Sequence, residues 1–346
     1  MSDGAARFHR LIRQLGPIPV AQYMGESNAL YYTSRDPLGA AGDFVTAPEI
    51  SQMFGEMVGL WCADLWQRAG QPDTAAFVEL GPGRGTLSAD ALRAMVSQRF
   101  TPDAHLVEGS PTLRAEQAKR VAKAIFHDGV DSLPDDRPLL IVANEFFDAL
   151  PVRQLVRTEA GWRERMVGLK DGALHFESGS TPMDEAVPHD RADEQLGTII
   201  ETCPSAAALW RDLCGRISIQ GGAILAIDYG HLAARTGSTL QAVRQHEKVD
   251  VFAAPGHMDL TAHVDFAELA ALARNAGLLP YLTGQGAWLN ALGMGQRAAV
   301  LSRASPAAEQ MVADAYRRLT HPDEMGTLFK VVAVTAPDWP RPAGFA

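Results

Sequence analysis

The chain has 346 residues, 47% hydrophobic and 21% charged, the proportions of a globular protein with a large core. Its 31 basic residues against 41 acidic ones leave a net charge of −10, which argues against a basic surface for nucleic acid. No apolar run approaches the roughly 20 residues that cross a bilayer, and Cys62, Cys203 and Cys214 form no CxxC pair, so a zinc ribbon or disulfide framework is not expected.

Arg7, Arg10 and Arg13 interleave with Phe8, Leu11, Ile12 and Leu15, so residues 5–15 read as a helix ended by Gly16-Pro17. No secretory apolar segment is present and Asp3 argues against a transit peptide, so the expected location is the bacterial cytoplasm. Residues 17–45 hold many turn formers and little periodicity, and read as a long irregular arm ending in Pro37–Phe44. Thr46-Ala47-Pro48-Glu49 has the form of a capping box with proline in the first turn. Behind it Ile50, Met53, Phe54, Met57, Val58, Trp61 and Leu65 recur at helical spacing, a core-packing stripe. Gly55 and Gly59, one turn apart, predict close contact with another helix.

From residue 75 strands and helices alternate. Strands are predicted at Phe77–Leu80, His105–Glu108, Ala124–Asp128 and Leu139–Ala143, with helices over 86–99 and after the Ser110-Pro111 cap. The run at 139–143 is continuous and apolar, as in a parallel sheet buried on both faces. The rhythm then breaks: 151–180 reads as antiparallel strands around Gly161-Trp162 and Asp171-Gly172, and 181–198 as a polar loop. A helix at 205–219 and a strand at Ala223–Ile227 resume the winding, and a second irregular insertion fills 230–262. Asp265, with Glu268, caps a helix running to Gly277. A strand at 278–283, helices at 287–303 and 306–319, and a last strand at 328–334 close the sheet with an antiparallel hairpin. The fold expected is α/β, a doubly wound Rossmann-like sheet.

The stretch Phe77-Val78-Glu79-Leu80-Gly81-Pro82-Gly83-Arg84-Gly85 is strand, glycine turn and helix start, the geometry that points backbone N–H groups at a ligand. A dinucleotide site spaces its glycines as GxGxxG, but here the third comes one residue early, at Gly85. The acid Glu79 beside the turn would repel a pyrophosphate and could pair with a cationic ligand. Glu108, ending the second strand, is placed to accept from ribose hydroxyls, and Asp128, ending the third, could reach an adenine amino group. S-adenosylmethionine, cationic and free of phosphate, suits this set better than NAD.

Three stretches carry a resemblance: Gly42-Asp43-Phe44-Val45-Thr46-Ala47-Pro48-Glu49-Ile50-Ser51-Gln52-Met53-Phe54-Gly55-Glu56, Val78–Leu87, and Asn144-Glu145-Phe146-Phe147-Asp148-Ala149-Leu150-Pro151-Val152. Asp228-Tyr229-Gly230-His231 and Asp259–Phe266 continue it. With these the chain resembles the MidA-like class I methyltransferases, a family that includes a mitochondrial complex I assembly factor methylating a protein arginine. The resemblance implies a seven-stranded, mostly parallel sheet with a terminal antiparallel hairpin and helical and β insertions, and S-adenosyl-L-methionine as cofactor. It implies an N-terminal region, 1–70, covering the cofactor site, and a methyltransferase domain over 71–346 with insertions near 151–200, 230–262 and 287–320.

The cofactor-binding set expected is Glu79, Gly81, Pro82, Gly83, Gly85, Glu108 and Asp128, with Asp43 and Thr46 bordering the pocket by resemblance. Asn144-Glu145-Phe146-Phe147-Asp148 follows the fourth strand, at the edge where open sheets bind ligands. Carboxylates there could orient a guanidinium bidentately and localise its charge. Glu145 is the first candidate, Asp148 the second and Asn144 the third; capping of the following turn is the lesser alternative, weaker for Glu145 than for Asp148. Phe146 and Phe147 could wall the site or pack in the core. His231, His257 and His263 lack the spacing of a helical zinc site, and no metal is expected. The activity expected is methylation of arginine on a partner protein, with no nucleic-acid or membrane partner. The alternatives are an assembly factor that binds S-adenosylmethionine without turnover, and a small-molecule methyltransferase.

Overall fold

The computed structural model describes residues 3–34, 46–244 and 247–345. The chain forms two compact units, one of 1–44, 148–208 and 233–265 and one of 45–147, 209–232 and 266–346.

The second unit is built on a central sheet. Its strands are β1 (Ala76–Leu80), β2 (Ala104–Val107), β3 (Ile125–His127), β4 (Leu139–Asn144), β5 (Gly222–His231), β6 (Leu279–Gly284) and β7 (Phe329–Thr335). Across the sheet these seven run β6-β7-β5-β4-β1-β2-β3. The five from β5 to β3 are parallel, whereas β7 is antiparallel to both β5 and β6. The expected closing hairpin is therefore present. Every residue of β1 and β4 is buried, as strands covered on both faces require.

Register fixes where the site stands. His127 pairs with Val107, Val107 with Leu80, and Leu80 with Ala143. The next residue of each strand, Asp128, Glu108, Gly81 and Asn144, therefore lies along one carboxyl edge. Four neighbouring strands span about 14 Å, room for an extended nucleoside.

Three helices of this unit matter for the site: α1 (Gln52–Arg68), α2 (Thr86–Ser97) and α3 (Pro111–Arg120). The apolar stripe of α1 is core, with Met53, Phe54, Val58 and Leu65 wholly inaccessible. Its glycines make the predicted contact with α2: a Cβ on Gly55 would lie 2.6 Å from Asp90 Cβ, and one on Gly59 2.2 Å from the Ala91 carbonyl oxygen. The helix expected over 287–303 is instead two, Gln285–Ala291 and Met294–Ala304, separated at Gly293, whose φ of 92° ends the first.

In the other unit the antiparallel strands expected after residue 151 are Arg153–Thr158, Gly161–Lys170 and Ala173–Pro182, joined by Ile199–Thr202 and by Ile18–Pro19. Two readings are corrected here. Residues 20–34, expected to be irregular, form the helix Val20–Ser34. Its inward face is Val20, Tyr23, Met24, Ser27, Asn28 and Tyr31, at helical spacing but interrupted by two polar residues that hide the stripe. Asn28 is buried because it serves Leu260 twice, donating to its carbonyl at 2.8 Å and accepting its N–H at 3.0 Å. The insertion at 230–262, also expected to be irregular, holds a three-stranded sheet of Gln241–Arg244, Glu247–Val249 and Asp259–Thr261. Its strands are too short for alternation to show in sequence.

Candidate functional site

The glycine turn leaves β1 and enters α2. Gly81, Gly83 and Gly85 have φ of 61°, 54° and 80°, the left-handed region that side chains disfavour. A Cβ on Gly81 would also lie 2.8 Å from the Phe146 ring. Pro82 completes the turn, its carbonyl accepting the Gly85 N–H at 2.7 Å. The backbone is thus bent tightly at the start of a twelve-residue helix, where unpaired N–H groups and the helix dipole gather.

Glu79 is almost wholly buried, and its carboxylate accepts from the Ser88 hydroxyl in the first turn of α2. Burial pushes it up to about 7, with the Ser88 hydroxyl and N–H acting against the rise. A carboxylate poised near neutrality is readily ionised by a nearby cation.

Glu108 projects from the end of β2. Its Oε1 accepts the Ser110 N–H at 2.7 Å, and its Oε2 the Gln117 side-chain amide at 3.3 Å. Burial raises it above the ordinary carboxylate range. Asp128 stands one strand further along, with its side chain 92% exposed and paired to Arg114 at 2.6 Å. Gln117 was not singled out from the sequence. It carries no motif of its own, and only the fold turns its face of α3 toward the glycine turn.

The end of β4 supplies the acid cluster. Glu145 has a φ of 49°, a left-handed conformation for a residue with a side chain. Its Oε1 accepts the Ala47 N–H at 2.8 Å and the Asn144 side-chain amide at 3.2 Å. Asp228, in β5 just past the Ile227–Asn144 pair, takes the N–H groups of Phe146 and Phe147 on one oxygen, at 3.2 and 3.0 Å. The turn after β4 is therefore held by a buried carboxylate from the neighbouring strand. Phe147 is core, edge-on to Trp210 at 5.8 Å, while Phe146 lies against the glycine turn.

These contacts also correct the capping box. Thr46 precedes the short helix Ala47–Ile50, but its side chain makes no capping bond. Glu145 takes the Ala47 N–H instead, and Glu49 accepts from the Thr86 hydroxyl at 2.6 Å. The side chain that caps α1 is Ser51, accepting the Met53 N–H at 3.2 Å. Tertiary partners have displaced the local pair, and in doing so they join the 46–51 segment to the β4 turn and to α2.

Asp43 lies outside the described residues. Asp148 opens the other unit's second segment, where it is buried and its carbonyl accepts the Ala262 N–H at 2.9 Å. Its charge, with that of Asp259, adds to the burial that raises Tyr32, and the Tyr32 hydroxyl donates to Asp259 at 3.1 Å. Among the described residues no group of three or more His, Cys, Asp or Glu side chains is placed to share a metal ion. Nor is any described helix long and apolar enough to cross a membrane.

A mostly parallel sheet in this strand order, with a glycine turn after its central strand and acids along its carboxyl edge, defines a class I methyltransferase. The model of a family of S-adenosyl-L-methionine-dependent methyltransferases matches residues 57–282. The chain is 36% identical over 361 residues to a Xenopus tropicalis protein named protein arginine methyltransferase NDUFAF7, mitochondrial, covering 93% of this chain and 83% of that one. The human protein of that name is also 36% identical, with 93% and 81% covered. A Burkholderia thailandensis protein crystallised with S-adenosyl-homocysteine matches with a TM-score of 0.83 at 27% identity, over 98% of this chain and 93% of that one.

The chain belongs to the MidA-like family of S-adenosyl-L-methionine-dependent methyltransferases. The cytoplasmic location expected from sequence is overturned, because its animal relatives, from Drosophila melanogaster to human, are mitochondrial. The residues present fit a cationic, phosphate-free nucleoside: a turn whose three glycines hold left-handed backbone, a buried carboxylate two residues before it at Glu79, and a second carboxylate at Glu108, at the end of the neighbouring strand.

Proposed function

We propose that this methyltransferase transfers the methyl group to an arginine nitrogen of a partner protein, with Glu145 as the residue that orients the acceptor. What carries the reading is the placement of Glu145 on the carboxyl edge, beside the glycine turn, in a chain whose relatives are named protein arginine methyltransferases. Bound S-adenosylmethionine supplies a methyl group on a sulfonium, which leaves as a neutral thioether.

The chain's own residues supply position and charge. Gly81, Pro82, Gly83 and Gly85 form the cradle for the amino-acid half, with Glu79 behind it as the neutralising charge. Glu108 receives the ribose hydroxyls and Asp128 closes the adenine end; Thr46 is assigned to the pocket's border, as is Asp43, by family resemblance alone. Positioning is the principal demand of an in-line displacement. Glu145, its orientation fixed by Asn144 and the Ala47 N–H, holds the guanidinium bidentately, leaves one nitrogen richer in electrons, and accepts the proton released on transfer. Asp148, three residues further along the chain, is the second candidate acid for the acceptor.

Calorimetry with S-adenosylhomocysteine tests the assignment. Gly83→Val is expected to abolish binding, since a β-branched residue at φ 54° cannot hold the turn. Glu145→Ala is expected to keep affinity within about threefold while losing at least about a hundredfold in transfer rate. Unchanged binding in Gly83→Val would refute the cradle; unchanged turnover in Glu145→Ala would move the acceptor site elsewhere.

A further inference from the structure

Gln117 is a fully buried amide on the exposed-faced helix α3. Its Nε2 donates to the Gly83 carbonyl at 2.8 Å and to Glu108 Oε2 at 3.3 Å. Its Oε1 is buried with no hydrogen-bond partner among the described residues. An amide kept in such a place carries a desolvation cost that an apolar side chain of the same size would avoid. Packing alone therefore does not account for it. The room it occupies is made by Gly85, where a Cβ would lie 3.3 Å from Gln117 Cα.

The two acceptors that Gln117 joins belong to the two halves of the ligand site: the turn for the amino-acid end and the acid for the ribose. We propose that Gln117 is a positioning residue that couples the glycine turn to Glu108, setting the distance between the two halves of the cofactor site. This rests on the reading of Glu108 as the ribose acceptor.

The same contact governs charge. Burial raises Glu108, and the Ser110 N–H, the Gln117 amide and Arg114 act against that rise. Arg114 is shared with Asp128 at 2.6 Å. His127, just before Asp128, is itself lowered by burial and by Arg114, and so opposes Glu108 with little positive charge. On the adjacent strand Glu79 is spoken for by Ser88. Losing the Gln117 donor therefore pushes Glu108 further up, and less of it is ionised in mild acid.

The test is S-adenosylhomocysteine affinity of the full chain from about pH 5 to about pH 8, for wild type, Gln117→Met, Glu108→Gln and the double variant. Gln117→Met is expected to move the acid limb of binding upward by about one pH unit. In the Glu108→Gln background the same change should leave the remaining midpoint, that of Glu79, where it is, since the group on which Gln117 acts is gone. An equal loss of affinity at every pH, with an unmoved midpoint, would reduce Gln117 to packing and overturn the proposal. Full affinity in Glu108→Gln would instead refute the ribose reading. If Gln117→Met does not fold, Gln117→Asn, which keeps the amide but withdraws it from both acceptors, gives the same comparison.

Discussion

Glu145 sits in a backbone conformation that costs about 1 kcal/mol or more for a residue with a Cβ. Such an outlier persists where the surroundings over-determine it, and here they do: its N–H donates to the Ile227 carbonyl at 2.9 Å while its carboxylate holds Ala47 and Asn144. Relief of that strain separates stability from function. Glu145→Gly, at home at φ 49°, is expected to be about 1 kcal/mol more stable than Glu145→Ala in urea unfolding, with transfer lost in both. A Glu145→Gly protein no more stable than Glu145→Ala would show that the backbone there is relaxed.

Glu79 makes a second residue-scale prediction. In the fold it titrates near 7 rather than at its ordinary 4.5. A carboxyl raised in this way favours the native state fully below the lower value, and that contribution is lost as pH rises through the upper one. Without ligand, the stability of Glu79→Gln relative to wild type should therefore grow by about 3 kcal/mol between about pH 4.5 and about pH 7. Chemical denaturation across that range measures it, and a flat difference would mean that Glu79 is ionised throughout.

At the scale of elements, the contact of α1 with α2 depends on backbone meeting backbone. Gly59→Ala would drive a methyl to 2.2 Å from the Ala91 carbonyl oxygen, which cannot swing away as a side chain could. The expected cost is about 2–3 kcal/mol, read as a lowered denaturation midpoint with an unchanged slope. Gly59→Ala at wild-type stability would mean that the helices can part without penalty.

What the sequence revealed at this scale followed from periodicity. The α1 stripe, the alternating strands and the early third glycine are local patterns, and local patterns survive into the fold. Val20–Ser34 was hidden because Ser27 and Asn28 occupy inward positions, Asn28 there to serve Leu260 across 232 residues of chain. The capping box failed for a related reason. Thr46 and Glu49 have the right spacing, yet the first-turn Ala47 N–H goes to Glu145, 98 residues away, and the Glu49 carboxylate to Thr86, 37 residues away.

For the molecule as a whole, strand order and register align Asp128, Glu108, Gly81 and Asn144 on one edge, and three of these four were legible as strand-terminal residues of the sheet's carboxyl edge before any register was known. Gln117 was not, because no sequence signal marks an amide whose role is to bridge two other elements. The acceptor side was less legible than the cofactor side. A cofactor imposes a fixed turn and fixed acids that leave a local pattern, whereas the antiparallel strands after residue 151 are legible as strands but carry no motif that names an acceptor.

Methyl transfer to protein arginine through Glu145 would leave its mark in the chemical identity of the product. Wild-type protein and Glu145→Ala would each be incubated with radioactive S-adenosylmethionine and a protein extract, and the labelled protein hydrolysed to amino acids. Label is expected in N-methylated arginine with wild type and none with Glu145→Ala. Label in another residue or in a small molecule, or no label from a protein that binds the cofactor fully, would contradict it.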